Sequence, residues 1–238
     1  MVKNSTISLL ESHYEAIAAC PLFRGLQRDE LLSYLQSVPI LLKNYQKHDF
    51  IAISGDPMEG IGIVVEGSAL LTRENVLGQR VIMTELTQSS MFGEALLFTA
   101  RPLWPATIKT TKPTTVLFIP LDSFIQTLPD CQYCQTKMLT NLLHDLSEKA
   151  LTLTKKVHYL TLKGMREKIF AYLTDLYTIQ QSTTLELPHS RQEMADALNV
   201  CRTALSRELG RLRDEHIIAI HGKTVHLQEL DTILEYRF

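Results

Sequence analysis

The chain has 238 residues, of which 45% are hydrophobic and 21% charged, and its formal net charge is −2. That balance suits a globular chain with apolar mass for a core and length for two domains, and it supplies no global attraction to a polyanion. No run approaches the roughly 20 apolar residues that cross a bilayer, and four scattered cysteines (Cys20, Cys131, Cys134, Cys201) make no disulfide scaffold.

The N-terminal MVKNSTISLLESHYEAIAAC mixes acids and a histidine into its apolar pattern, unlike a secretory signal, so a cytoplasmic protein with free thiols is expected. Helical patterns over Ser8–Ala19 and Arg28–Gln36 precede a different texture. From about Tyr45 to Ile119 the runs NYQKHDFIAI, IGIVV, SALLTR, QRVIMTEL and TTVLFI are strand-length and rich in Val, Ile, Leu and Thr. SGDPMEG, NVLG and the longer TARPLWPA separate them as turns and loops. Gly55, Gly67, Gly78 and Gly93 stand where a strand must bend. The pattern predicts an antiparallel barrel or sandwich.

After Pro129 the periodicity changes. Leu139, Leu143, Leu146, Ala150, Leu153, Val157 and Leu160 recur at alternating spacings of four and three, a heptad seam. The seam predicts a helix of roughly 33 Å at about 1.5 Å per residue. A helix packed only on its own barrel needs a single apolar stripe, whereas a strict seam of this length favours a twin helix across a two-fold axis. Gly164 marks a hinge, REKIFAYLTDLY a further helix, and TIQQSTTLELP a linker.

The stretch SRQEMADALNVCRTALSREL follows. Ser190 and Glu193 form a capping box that fixes a helix start. Met194, small Ala195 and Leu198 make its inward stripe, and Asn199 suits a left-handed turn. Val200, Leu205, Leu209 and Leu212 then line the inner side of a second helix, with Arg202, Thr203, Ser206 and Arg207 outward, and Arg211 and Arg213 further along. IIAIH and TVHL form a hairpin around Gly222–Lys223. This is the pattern of a winged helix-turn-helix. A solvated face would also carry arginines, but here only Glu208 is a nearby acid. Arg202 and Arg207 occupy the half of the helix that enters a major groove, where arginine bridges guanine O6 and N7. Lys223 is placed for a phosphate, and Ser190 with neighbouring amides for another. Glu193, Asp196, Asp214 and Glu215 cancel the domain's net charge, so the attraction is local.

The order barrel, long helix, winged helix-turn-helix resembles the bacterial transcription regulators typified by the cyclic-AMP receptor protein and the fumarate-nitrate reductase regulator. The resemblance runs from PLFRGLQRDEL (21–31) through SGDPMEGIGIVVEGSALL (54–71), MFGEALLF (91–98) and IPLDSF (119–124) to RQEMADAL, RTALSREL and HGKTVHL (221–227). It implies an α+β fold. An N-terminal antiparallel β-roll of the cyclic-nucleotide-binding type would span residues 1–128, a dimerisation helix 129–163 and a winged helix-turn-helix 164–238. It implies a homodimer on near-palindromic double-stranded DNA, acting with RNA polymerase and a small-molecule effector, and no enzyme, metal or membrane. Arg202, Thr203 and Arg207 would read bases with Ser206 beside them, while Ser190, Arg191 and Lys223 would hold the backbone. The oxygen-sensing branch has a glutamate where this chain has Thr203, so its base preference does not carry over.

The resemblance also places an effector pocket at Phe92, Gly93, Glu94, Leu96, Leu97 and Trp104, with Leu153 and Thr154 over it. Glu94 matches a ribose-binding carboxylate. The arginine and hydroxyl residue that pair a cyclic phosphate are replaced by Trp104 and Pro105, and an unpaired buried phosphate is expensive. Arg101 lies three residues earlier. A small apolar or aromatic effector stacking on the indole is therefore expected rather than cyclic AMP. A cyclic-nucleotide- or haem/redox-responsive regulator and a ligand-independent one plugged by Trp104 remain alternatives. The iron–sulfur branch needs a cysteine set that Cys20 alone does not supply. Cys131 and Cys134 lack a second ligand pair and read as two half-buried thiols, and His48, His144 and His158 are haem candidates by residue type alone. An enzyme is disfavoured because Ser206 has no histidine at helical spacing. An adaptor whose winged helix meets protein is the other competing class.

Overall fold

The run NYQKHDFIAI is two strands, not one. His48 takes φ 75°, and Gln46 and Asp49 close a turn around it, the Asp49 carboxylate accepting the Gln46 N–H at 2.7 Å. The computed structural model describes residues 10–74, 80–126 and 128–235, which form two units, one reaching to Glu148 and one from Lys149 onward. Gly78 and the start of the Ser8–Ala19 pattern lie outside the described residues.

In the first unit, helices α1 (Tyr14–Ala18) and α2 (Arg28–Ser37) precede strands β1 (Leu41–Tyr45), β2 (Phe50–Ala52), β3 (Gly60–Glu66), β4 (Ala69–Glu74), β5 (Arg80–Leu86), β6 (Met91–Phe92), β7 (Thr107–Thr110) and β8 (Thr114–Pro120). They build two antiparallel four-stranded sheets ordered β1-β8-β3-β6 and β2-β7-β4-β5. The central strand β3 is buried from Gly60 to Val65, so it reads as a continuous apolar run rather than an alternation. Its Ile61, Ile63, Val64 and Val65 pack with Ile108, Val116, Leu117 and Ile119, all fully buried. A side chain at Gly62 has no room, because the Phe92 ring lies over that backbone.

A short helix α3 (Asp122–Ile125) leads to the long helix α4 (Gln132–Thr161). Along its first half Cys134, Met138 and Leu142 recur every four residues and are buried in the barrel core. A second stripe, Leu143, Leu153, Val157 and Leu160, is 54–63% exposed.

The second unit contains α5 (Met165–Gln180), β9 (Thr184–Glu186), α6 (Arg191–Ala197), α7 (Arg202–Asp214), β10 (Ile218–His221), β11 (Thr224–Leu227) and α8 (Leu230–Leu234). Gly164 caps α5. Its core is Ile169, Leu173, Leu185, Ala195, Leu198, Leu205, Leu212, Ile218, Val225 and Ile233. The stretch TIQQSTTLELP is not a linker. Its first residues extend α5, and Thr184–Glu186 pairs antiparallel with β11 in a sheet ordered β10-β11-β9, burying Leu185 and Leu187.

Candidate nucleic-acid interface and barrel pocket

The first helix of the motif starts where the capping box places it. Ser190 Oγ accepts the Glu193 N–H at 3.3 Å, and Glu193 Oε2 accepts the Ser190 N–H at 2.7 Å. Hydrogen bonding from Ser190, its backbone N–H first and its side chain second, holds the Glu193 carboxyl below the usual carboxylate range. Asn199 takes φ 50°, and the Val200 N–H returns to the Ala195 carbonyl at 2.9 Å. Ala195 is fully buried, its small side chain letting α6 and α7 approach.

In α7, Leu205, Leu209 and Leu212 are buried, whereas Arg202, Thr203, Ser206 and Arg207 are exposed together. Arg207 Nε donates only to its own helix, at the Thr203 carbonyl, 3.3 Å away. Among the described residues no carboxylate pairs with Arg202 or Arg207. The other arginines of the helix differ: Arg211 pairs with Glu208 at 3.2 Å and Arg213 with Asp214 at 2.8 Å. Arg166 from α5 pins the rear of α7 through Glu208 at 2.9 Å and Glu215 at 2.8 Å. The β10–β11 turn exposes Lys223, with Gly222 at φ 62°. Arg191 is half-buried with Nη1 in no hydrogen bond, and burial works against its charge.

Sequence reasoning counted Cys201 only as a thiol. It is the N-cap of α7, exposed, with Sγ 3.1 Å from Thr203 Oγ1. That bond lowers its thiol pKa, helped by the first amides of the helix and by Arg207. Its place immediately before RTALSREL was the available signal.

In the barrel, Trp104 and Phe92 are buried with ring centroids 5.9 Å apart, and Phe118 meets Phe92 edge-on at 6.1 Å. Gly93, at φ 89°, lies under the indole; a Cβ there would be 3.0 Å from Trp104 Cη2. Backbone bonds fix the Trp104 segment, from its N–H to Asp56 at 2.9 Å and from the Gly55 N–H to its carbonyl at 2.8 Å. Leu97 is buried, and Glu94 and Leu96 are partly so. A cavity of about 180 Å3 opens beside Trp104, lined also by Lys43, Ile51, Asp56, Glu59 and Phe118. Of the residues expected to line the effector pocket, Trp104 alone borders this cavity among the described residues. Leu153 and Thr154 are exposed on α4.

The expected seam divides. Leu143, Ala150, Leu153, Val157 and Leu160 are exposed, Leu139 is intermediate, and Leu146 packs partly on the barrel core. Cys131 and Cys134 are fully rather than half buried, against Ser37 Oγ and the Glu30 carbonyl. Among the described residues no group of three or more His, Cys, Asp or Glu side chains could hold a metal, and no helix is long and apolar enough to cross a membrane.

Residues 42–130 match the cyclic nucleotide-binding domain and residues 167–236 the Crp-like helix-turn-helix domain, in that order. The chain belongs to the CRP/FNR family of transcription regulators. It is 26% identical over 191 residues to the cAMP-activated global transcriptional regulator CRP of Pasteurella multocida, covering 77% of this chain and 88% of that one. It is 24% identical to the global nitrogen regulator of Synechococcus elongatus, with 79% and 86% covered. The transcriptional activator protein FnrL of Cereibacter sphaeroides is 27% identical, with 76% and 73% covered. The catabolite activator protein of Thermus thermophilus shares the fold, with a TM-score of 0.53 at 20% identity over 91% of this chain and 97% of that one. This CRP/FNR-family chain is thus a DNA-binding regulator with a cyclic-nucleotide-binding-like domain, and its outward arginines lie inside the matched helix-turn-helix segment.

Proposed function

We propose that this regulator works in the cytoplasm as a homodimer joined along α4, with two copies of α7 entering successive major grooves of a near-palindromic site roughly 34 Å apart. Arg202, Thr203 and Arg207 read bases beside Ser206, while Ser190, Arg191 and Lys223 hold the backbone and RNA polymerase is the downstream partner. Functional boundaries follow at residues 128 and 163. The observation that carries the DNA reading is the free outward pair Arg202 and Arg207, in a helix whose other arginines are tied to acids. Support for the dimer is the exposed stripe Leu143, Leu153, Val157 and Leu160.

For the barrel we propose a small flat effector, at most a single ring, received against Trp104. A buried indole stands where a cyclic phosphate needs an arginine, and the adjoining cavity of about 180 Å3 is small. A second reading draws on the same contacts. With Trp104 only 8% exposed and packed on Phe92 and Gly93, the indole acts as a permanent plug and the regulator needs no effector.

Two measurements test this. Selection of bound genomic fragments with wild type and Arg207→Ala reads the base contact; the variant is expected to lose about 1–3 kcal/mol of site discrimination, and intact discrimination overturns the assignment. Trp104 is the single tryptophan. Its emission is expected to respond to a panel of benzoates and phenols that also change DNA affinity, and indifference on both counts selects the plug.

A further inference from the structure

Three helical threonines of this chain turn the hydroxyl back into their own helix. Thr140, Thr154 and Thr178 each donate to the carbonyl four residues earlier, at 2.8, 2.9 and 2.9 Å. Thr203 has no such partner. It is the second residue of α7, and the residue four positions before it, Asn199, lies in the left-handed turn ahead of the helix at φ 50°. Its Oγ1 lies instead 3.1 Å from Cys201 Sγ, and among the described residues no other group bonds that hydroxyl.

The chemistry of the pair decides which atom donates. A hydroxyl is a full donor, whereas a thiol is a weak one. The sulfur also stands at the N-cap of α7, where unpaired amides carry positive partial charge and favour an electron-rich acceptor. The thiol pKa is lowered, first by the Thr203 hydroxyl and further by the first amides of the helix and by Arg207, as suits an accepting sulfur. The Thr203 proton is thus committed to Cys201. What the exposed side chain offers to an incoming molecule is the lone pairs of its oxygen.

We propose that Cys201 is a positioning residue for base recognition: it takes the Thr203 hydroxyl proton, leaves Thr203 an acceptor only, and so selects adenine or cytosine as the base that Thr203 meets. The proposal rests on the reading of Thr203 as a base contact. A free threonine hydroxyl donates or accepts, so alone it tolerates either kind of base edge. In the major groove adenine N6 and cytosine N4 are donors, whereas guanine O6 and thymine O4 are acceptors. The sulfur removes the ambiguity without touching the DNA itself.

The test uses the full-length protein and duplexes built on the site recovered from selected genomic fragments. Thr203→Val, which keeps the shape and removes the hydroxyl, identifies the base pair that Thr203 reads. There the wild type is expected to prefer adenine over guanine, or cytosine over thymine, by about fivefold. In Cys201→Ala the two bases should bind within about twofold of each other, while the positions affected by Arg207→Ala keep their wild-type preferences. Adding Cys201→Ala to Thr203→Val should change nothing further at the position Thr203 reads. Wild-type preferences at every position in Thr203→Val would overturn the base reading of Thr203, and this proposal with it. A guanine or thymine required there, an undiminished preference in Cys201→Ala, or an equal loss at all positions in that variant would overturn the role of Cys201 and leave the reading of Thr203 standing.

Discussion

Arg166 Nε donates to Glu208 Oε1 at 2.9 Å, joining the first turn of α5 to the residue that follows Arg207 in α7. The same guanidinium makes two bonds of 2.8 Å to Glu215. The planar fork thus braces the inner side of the helix whose outer side carries the free arginines. Arg166→Ala is expected to destabilise the second unit by about 1–2 kcal/mol, a figure reduced for the partial exposure of the cluster. Arg166→Lys should restore only part, since an ammonium cannot repeat the paired bonds. Urea unfolding checks both. Arg166 holds the Glu215 carboxyl below its ordinary value. The contribution is therefore fully present above the ordinary glutamate pKa of about 4.3 and fades as the pH falls through the lowered one. The gap between wild type and Arg166→Ala should close below that point.

Leu153 and Val157 are 62% and 59% exposed in the single chain. A carboxylate at either position is harmless to a lone helix and intolerable in a seam between two. The double variant Leu153→Glu/Val157→Glu is expected to sediment as a folded monomer, to keep wild-type helicity by circular dichroism, and to lose most of its affinity for a palindromic site. A persistent dimer would place the interface elsewhere.

A Cβ on Gly62 would fall 2.1 Å from Phe92 Cζ, closer than any relaxed contact. Gly62→Ala should cost about 2–3 kcal/mol in the barrel, and Phe92→Leu in the same chain should recover part of it by vacating the ring's space. Thermal melts of the two variants and their combination measure the coupling, and strict additivity would contradict the steric account.

Cys20, Cys131 and Cys134 are buried, and Cys201 is exposed with its thiol pKa lowered. Iodoacetamide should modify Cys201 first, at a rate that reaches half its maximum below the ordinary thiol pKa of about 8.5. The adduct stands directly before Arg202 and should abolish DNA binding. Cys201→Ser should bind DNA and resist the reagent. Peptide mass mapping and gel shift report the two halves of this expectation.

The helix-turn-helix was legible because its signals are local. Ser190 and Glu193 cap within one turn, Asn199 supplies the left-handed turn, and Leu205, Leu209 and Leu212 keep one helical face. The barrel strands were legible where apolar runs are long, as in IGIVV, and were lost where pairing comes from elsewhere in the chain. Met91–Phe92 is a two-residue strand, Thr107–Thr110 follows a proline-rich loop, and Thr184–Glu186 is a strand because β11 receives it. No local composition marks such segments. The groove between α4, α5 and α6 was illegible for the same reason, since residues between Thr152 and Ala197 become neighbours only when those helices pack.

The pairing of Val225 with Leu185 moors the wing to the chain that enters the helix-turn-helix as well as to the chain that leaves it. The backbone of the wing is therefore held on both sides, and the Lys223 carbonyl is anchored again by the Leu187 N–H at 2.8 Å. In evolution, adding or deleting residues between Leu187 and Ser190 would retune the height of the wing tip relative to α7, without touching Arg202, Thr203 or Arg207.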